Sequence, residues 1–410
     1  MRRWQYQVAL SLIAPWLLWD AWRRYRHARA GHRRLLEQFG RLRDGLPRGG
    51  VWLHAVSLGE VRAAAMLVSA VQARWPDLPI VISTTTETGA EAARGLDLPH
   101  FYAPFDLAFA QRRVLARLRP RLMVVMETEL WPNLVREAGR ADVPLVIANA
   151  RLSDRSYRRY ARWGGGLLRE VLRGVELICA QSIADRDRFL ALGAVRAEDC
   201  GNLKFDLPVS EKAEPLPTDR RLTWLAASTH PGEEAQVLGA HQAVLARYPE
   251  ARLILVPRHP ERAGEVRRLV ERSGLSVGTW APDRPPDSRP AVEVIDRAGL
   301  LAGLFAEVPV VFMGGSLVSV GGHNPIEPAA VGRAVLHGPA VQNFRQVFAV
   351  LGERNACREV ADSKTLAAAV IECFARPEDW AATGSRARAV IAEHRGAADR
   401  LVGRLAAWLD

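Results

Sequence analysis

Lysine is nearly missing from this sequence. Among 56 basic side chains only Lys204, Lys212 and Lys364 are lysine. A lysine kept in an arginine-rich background is kept either by chance or for its compact ammonium, which a guanidinium does not copy. Cysteine is scarce as well. Cys179, Cys200, Cys357 and Cys373 form no C-x-x-C pair, which speaks against a zinc site or a disulfide framework and fits a reducing compartment. The histidines show no H-E-x-x-H spacing. The one D-x-D, Asp185 and Asp187, falls in a helical run and reads as a solvated face, so no metal is expected. No G-x-G-x-x-G or Walker loop occurs, which excludes an ordinary NAD or ATP assignment and leaves no cofactor expected. Internal repeats are absent. The longest apolar run, Tyr6–Trp22, is short of the ~20 residues that a full membrane span needs, and Pro15 and Asp20 interrupt it.

What is present is an ordinary globular composition on a long chain. The sequence has 410 residues, 49% apolar and 25% charged, with a formal net charge of +11. That length suggests two domains with real cores. A basic balance points to nucleic acid, anionic membrane or anionic substrate without choosing among them. No nucleic-acid recognition motif or aromatic stacking platform is visible, so nucleic acid is the remote alternative. Residues 6–22 carry three tryptophans and lead directly into RRYRHARAGHRR. No small-residue cleavage site follows, which argues against a removable signal peptide. The pattern fits a helix dipping into an anionic inner leaflet from the cytoplasmic side, or a helix packed on the protein itself.

Apolar runs alternate with helical runs along the whole chain. GVWLHAV, LPIVIST, HFYAPF, RLMVVMETE, VPLVIANA and VELICAQS precede the proline-rich and charged stretch 208–221. LTWLAAS, ARLILVPRH, AVEVID, VPVVFMGGS and RAVLHGP follow it. The alternation predicts parallel sheets covered on both faces. The expected organisation is an N-terminal segment 1–30, a Rossmann-like domain 31–207, a linker 208–221, a second Rossmann-like domain 222–385 and a C-terminal helix 386–410 crossing back. The expected architecture is α/β, two such domains facing each other across a cleft. Ligands in such sheets bind beyond the carboxyl ends of the strands.

The chemistry-bearing residues fall at those ends. In HAVSLGE, Glu60 sits where a strand passes to a helix. The helix dipole should keep it ionised, ready to take a proton from a hydroxyl; the alternative is a cap on its own first turn. METELWPN places Glu127 and Glu129 on one side of an extended chain, to orient a substrate or bind arginines. GNLKFD holds Lys204, either a counter-charge for a departing phosphate or a loop lysine. LVPRHPER ends in Arg258 and His259, a phosphate fork or a proline-set turn. In MGGSLVSVGGHNPIEPAA, Gly314 and Gly315 let backbone approach a ligand. Asn324, Pro325 and Glu327 make a capping-box pattern at a helix start, which can also cradle an anion, and Glu327 can hold a ribose hydroxyl.

HAVSLGE, METELWPN, NARLSDRS, GNLKFD, STHPGEE, LVPRHPER and GGSLVSVGGHNPIEPAA occur in that order. Together they resemble the 3-deoxy-D-manno-octulosonic acid (Kdo) transferases of Gram-negative bacteria, over nearly the whole chain. The resemblance implies a GT-B fold and inverting transfer of Kdo from CMP-Kdo to a lipid A precursor, lipid IVA, at the inner membrane. It implies Glu60 as base and Glu127 and Lys204 as transition-state support. It implies CMP contacts at Arg258, His259, Ala298, Gly299, Asn324, Pro325, Ile326 and Glu327. One departure stands out. The family's D-T-M-G-E turn is matched here by IDRAGLL, with Leu300 in place of the glutamate, so only a backbone contact through Ala298 and Gly299 survives. A GT-B transferase acting on a UDP-sugar is the nearest alternative, and a non-enzymatic basic protein the more distant one.

Overall fold

A computed structural model describes residues 2–25, 31–208, 220–281 and 288–410. Most of the expected linker, with Lys212, and the centre of the basic flank after Tyr25 lie outside the described residues. The chain divides into two compact units. Unit 1 comprises Met1–Leu207 and Arg395–Asp410; unit 2 comprises Pro208–His394.

Unit 1 holds seven strands: β1 (Val51–His54), β2 (Ile80–Thr84), β3 (His100–Tyr102), β4 (Leu122–Met126), β5 (Leu145–Ala150), β6 (Leu177–Ala180) and β7 (Ala197–Asp199). Their order in the sheet is β3-β2-β1-β4-β5-β6-β7, and every pairing is parallel. The continuous apolar runs follow from this. A strand covered by helices on both faces buries every side chain, and β1, β2, β4, β5 and β6 are buried throughout. Unit 2 repeats the plan with β8 (Thr223–Thr229), β9 (Arg252–Pro257), β10 (Val277–Thr279), β11 (Val292–Val294), β12 (Val310–Met313), β13 (Ala334–His337) and β14 (Cys357–Glu359). Its order is β10-β11-β9-β8-β12-β13-β14, also all parallel. The edge strands β7, β10 and β14 are three residues each and only partly buried, so they carry no apolar run in the sequence. The chain order reverses between β1 and β4 and between β8 and β12, and connections leave in opposite directions there; in unit 2, β11 also inserts between β9 and β10.

The N-terminal helix Arg3–Tyr25 packs on unit 1 through one face. Tyr6 donates to Asp106 at 2.6 Å, Gln7 to Asn133 at 2.5 Å, and Arg3 lies 3.4 Å from Glu170. Trp4, Val8, Leu12 and Trp19 are left exposed. Among the described residues no helix is long and apolar enough to cross a membrane. Further along, the helical run over 156–172 is two helices, because Gly165 takes φ +54° between Asp154–Trp163 and Gly165–Arg173.

The C-terminal segment also divides. Helix Pro377–His394 ends unit 2, and helix Ala397–Leu409 belongs to unit 1, with a break at Gly396, φ +82°. The last helix buries Ala397, Leu401, Leu405 and Leu409 in a core shared with Val61, Leu67, Cys200 and Leu203. Asp206 fastens its start. One carboxylate oxygen accepts from the Gly396 N–H at 2.7 Å and the other from the Ala398 N–H at 2.6 Å. These are donors that a helix start leaves unsatisfied. Asp206→Ala should therefore lower unfolding free energy by about 1–2 kcal/mol in urea titrations; an unchanged midpoint would show that water replaces the carboxylate at no cost.

Candidate active site

Glu60 leaves the carboxyl end of β1, on one side of the point where the strand order reverses. Ser57 caps the helix Leu58–Arg74. Its hydroxyl oxygen accepts from the Glu60 N–H at 3.5 Å, and the hydroxyl donates to Glu60 Oε1 at 3.0 Å. Glu60 Oε2 accepts from the Val56 N–H at 2.7 Å. The capping role posed by the sequence is thus present in full. It does not exhaust the carboxylate, which has about four acceptor positions. The expectation of a firmly ionised group does not hold. Glu60 is only 8% exposed. Burial raises its pKa to about 7, and the nearby charges of Glu127 and Glu129 add to the rise against the Val56 and Ser57 hydrogen bonds. Desolvation outweighs the helix dipole here.

Glu127 lies just past β4, the neighbour of β1 across the reversal. The alternation expected of an extended METE segment fails. The strand stops at Met126, and Glu127 takes φ +55°, a left-handed conformation rare outside glycine. Its N–H donates to the Ala148 carbonyl at 2.9 Å, and the Thr128 hydroxyl donates to the Arg151 carbonyl. Glu129 accepts from the Trp131 indole at 2.6 Å. The Trp131 ring lies edge-on to His54, 5.1 Å between centroids. His54 is 1% exposed, and burial pushes its pKa down to about 4. The Ser83 hydroxyl accepts from the Trp52 indole at 2.8 Å and lies 2.9 Å from His54 Nδ1. A chain of contacts therefore runs from Ser83 through His54 and Trp131 to Glu129.

Lys204 is not in an open loop. It sits in a 3-10 turn, Leu203–Asp206, and is half-buried. Its N–H is held by Asn202 at 3.0 Å, and the Leu203 N–H by Asn149 at 3.0 Å. Asn149 itself has φ +55°, within the register shift between β5 and β6. Burial lowers the pKa of Lys204, Glu127 opposes that, and Arg151 adds to it. Unit 1 thus gathers Glu60, Glu127, Glu129 and Lys204 into one electrostatic neighbourhood. Asn149 and His54 complete it; neither was singled out in the sequence, although both lie inside motifs quoted above.

In unit 2 the expected residues also follow strand ends. Arg258 and His259 come directly after β9 and are exposed; the Arg258 N–H donates to the Thr229 carbonyl at 2.9 Å. Ala298 and Gly299 follow β11 in an exposed bend, Gly299 at φ +89°. His230, after β8, lies 2.8 Å from His323, Nε2 to Nε2, and its ring centroid is 6.1 Å from that of His259. His230 and His323 were not singled out in the sequence, although both lie inside motifs quoted above.

The glycine loop differs from expectation. Its N–H groups at Gly315, Ser316 and Leu317 donate to Glu233 at 2.7, 3.1 and 2.9 Å, and His230 N–H adds a fourth bond at 3.2 Å. Glu233 is fully buried. The nest that could hold a ligand anion is therefore filled by the protein's own carboxylate. Gly314 is needed for another reason: a Cβ there would sit 2.5 Å from the Ser228 carbonyl oxygen. The helix after this loop is short, Ile326–Ala330. Asn324 accepts from the Ile326 N–H at 3.1 Å, and its amide donates to Glu327 at 3.0 Å. Glu327 thus reaches the side chain of Asn324 rather than the backbone N–H of a capping box. Burial raises the Glu327 pKa against that bond. Pro325 and Ile326 are buried, Ile326 completely, so neither offers a side chain to solvent. Asp185 is likewise 2% exposed, accepting from Leu152 N–H at 2.8 Å and the Ser182 hydroxyl at 2.6 Å, instead of lying on a solvated face. Among the described residues no cluster of three His, Cys, Asp or Glu side chains is placed to hold a metal ion.

Two doubly wound parallel units, with acids at one reversal point and a basic and polar set at the strand ends of the other unit, define the GT-B fold. A UDP complex of MnaA from S. aureus matches with TM-score 0.55 at 13% identity, over 88% of this chain and 97% of that one. A glycosyltransferase from Rickettsia africae matches with TM-score 0.53 at 12% identity, over 88% and 98%. These likenesses establish the fold alone. A family model described as 3-deoxy-D-manno-octulosonic-acid transferase (kdotransferase) matches residues 33–207. A 3-deoxy-D-manno-octulosonic acid transferase of Haemophilus influenzae is 36% identical over 92% of each chain, and one of Bordetella pertussis is 35% identical over 100% of each. The chain belongs to the 3-deoxy-D-manno-octulosonic acid transferase family.

The Glu60 environment has a measurable consequence. Its folded-state pKa, about 7, is above its ordinary 4.5. As pH rises the unfolded chain releases this proton first, so the group's contribution to stability falls between those two values. Glu60→Gln removes that penalty. The variant should be more stable than the parent by about 1–3 kcal/mol at pH ~8.5, with most of the gain gone near pH ~5. Denaturation curves at the two pH values test this; a pH-independent difference would place the carboxylate in a wetter site.

Proposed function

We propose that the protein moves Kdo from CMP-Kdo to a hydroxyl of a lipid A precursor, with inversion and without a metal ion, as a step in lipopolysaccharide synthesis. The observation that carries the proposal is Glu60 at the reversal point of unit 1, with a pKa near neutrality and Glu127, Glu129 and Lys204 around it. A base poised near the working pH is suited to general-base catalysis. The acceptor hydroxyl attacks the anomeric carbon. Its proton passes to Glu60 as the new C–O bond forms. The bond from that carbon to the phosphate oxygen breaks, and CMP departs with the electron pair. Lys204 and Arg258 meet the charge on the leaving phosphate. Because the glycine-loop N–H groups are already bonded to Glu233, cationic side chains carry this role rather than that nest. His259, the exposed backbone at Ala298 and Gly299, and the Asn324–Glu327 pair supply the remaining donor contacts.

Membrane association belongs to the same proposal. Trp4, Val8, Leu12 and Trp19 recur along one face of the first helix and are exposed. An apolar strip on a basic protein suits the cytoplasmic surface of an anionic inner membrane, where the acceptor resides. Replacing Trp4 and Leu12 together by aspartate should abolish co-sedimentation with anionic vesicles while circular dichroism stays unchanged.

The reaction is tested with purified protein, CMP-Kdo and tetra-acylated lipid A precursor, with and without chelator, products weighed by mass spectrometry. Addition of Kdo mass units is expected under both conditions. Glu60→Gln should lose at least about a thousandfold in rate while its CMP titration stays within about twofold of the parent. Transfer that persists in that variant would remove Glu60 from the role of base. A titration response to UDP but not CMP would redirect the donor assignment.

A further inference from the structure

Unit 1 contains a cavity of about 230 Å³ beside its edge strand β3. Arg33, Glu37, Arg43, Arg94, His100 and Tyr102 line it. Three guanidinium groups there face a single carboxylate. That carboxylate is committed: Glu37 is 1% exposed, with one oxygen 3.0 Å from Arg33 and the other accepting from the Tyr102 N–H at 2.9 Å. Arg94 reaches Glu87 at 3.5 Å, but Glu87 also serves Arg34 at 3.2 Å and the Tyr102 hydroxyl at 2.6 Å. Arg43 has no ion pair among the described residues. The cavity wall is therefore left with positive charge in excess.

His100 faces the same three arginines. Its Nε2 lies 2.9 Å from the Thr84 hydroxyl, and it is 9% exposed. Burial lowers its pKa to about 4, and the charges of Arg94, Arg33 and Arg43 all press in that direction. Three cations from the helix at 31–38, the loop after it and the helix at 87–94 thus act on one ring. Like charges lining one cavity repel, and an anion of charge two relieves that repulsion. Guanidinium forks match the oxygens of a tetrahedral dianion.

We propose that this cavity is a binding site for a phosphate monoester. The proposal does not depend on the transfer reaction. None of the lining residues is among the groups assigned to it, and the site would bind its ligand in a protein without that activity.

Titration of the full-length protein with inorganic phosphate, followed calorimetrically and by the imidazole resonances of His100, tests it. Saturable binding is expected, with the His100 resonances moving toward the protonated form. Arg43→Gln with Arg94→Gln should weaken binding at least about tenfold with an unaltered melting temperature. Arg272→Gln, an exposed arginine of unit 2, should leave it unchanged and so exclude a general charge effect. No saturable binding by the parent, or equal binding by the double variant, overturns the site. Vesicles bearing phosphatidic acid, a monoester headgroup, and phosphatidylglycerol, a diester, separate the sources. Loss of phosphatidic acid binding alone in the double variant supports a lipid-borne monoester. Unchanged vesicle binding, with free phosphate binding lost, supports a soluble one.

Discussion

In a parallel sheet every strand delivers its carboxyl end to the same edge, and only where the chain order reverses do the connections part to leave room there. That constraint places the candidate residues of this protein. In unit 1 the reversal falls between β1 and β4, so the helix start bearing Glu60 and the loop bearing Glu127 become neighbours although 67 positions of sequence separate them. In unit 2 it falls between β8 and β12, which brings His230 against His323 and lets Glu233 bind the loop after β12. The remaining donor candidates leave β9 and β11 on the same edge. The candidate residues come from the ends of hydrogen-bonded strands rather than from one contiguous motif.

Within unit 1 the dominant electrostatic effect is desolvation. Three carboxylates lie close together, and burial raises the proton affinity of Glu60. Lys204 is shifted downward, chiefly by its own burial. An acid pushed up and an ammonium pushed down both move toward neutrality, the condition in which either can exchange a proton or gain charge as a reaction proceeds. The scarcity of lysine gives this position weight. A guanidinium there would stay charged and would spread its charge over a wide fork.

Much of this was legible in the sequence. The doubly wound fold followed from the β/α alternation, because short apolar runs separated by helical runs suit strands buried on both faces of a parallel sheet. The position of Glu60 followed from a short motif between a strand and a helix. Its protonation did not, since the helix dipole is a local property and burial is not. The conformation of Glu127 was hidden as well: its left-handed backbone accompanies a hydrogen bond from its N–H to β5, a contact from outside its own segment. The glycine loop misled because glycine marks close approach without saying what approaches. Here the partners are Glu233 and the Ser228 carbonyl. His54, Asn149 and the basic cavity beside β3 depend on residues far apart in the chain, which no spacing rule connects.

The last sixteen residues, Arg395–Asp410, belong to the unit that the chain began with. A ribosome therefore emits all of unit 2 before the helix that seals unit 1 has been made. Until then the apolar face shared by Val61, Leu67 and Leu203 lacks Leu401, Leu405 and Leu409 as its cover. Domains that emerge first usually mature first; here the second can be finished while the first still waits for its closing piece. A premature stop near the 3′ end of the message would leave the later-made half whole and expose the core of the earlier one to chaperones and proteases.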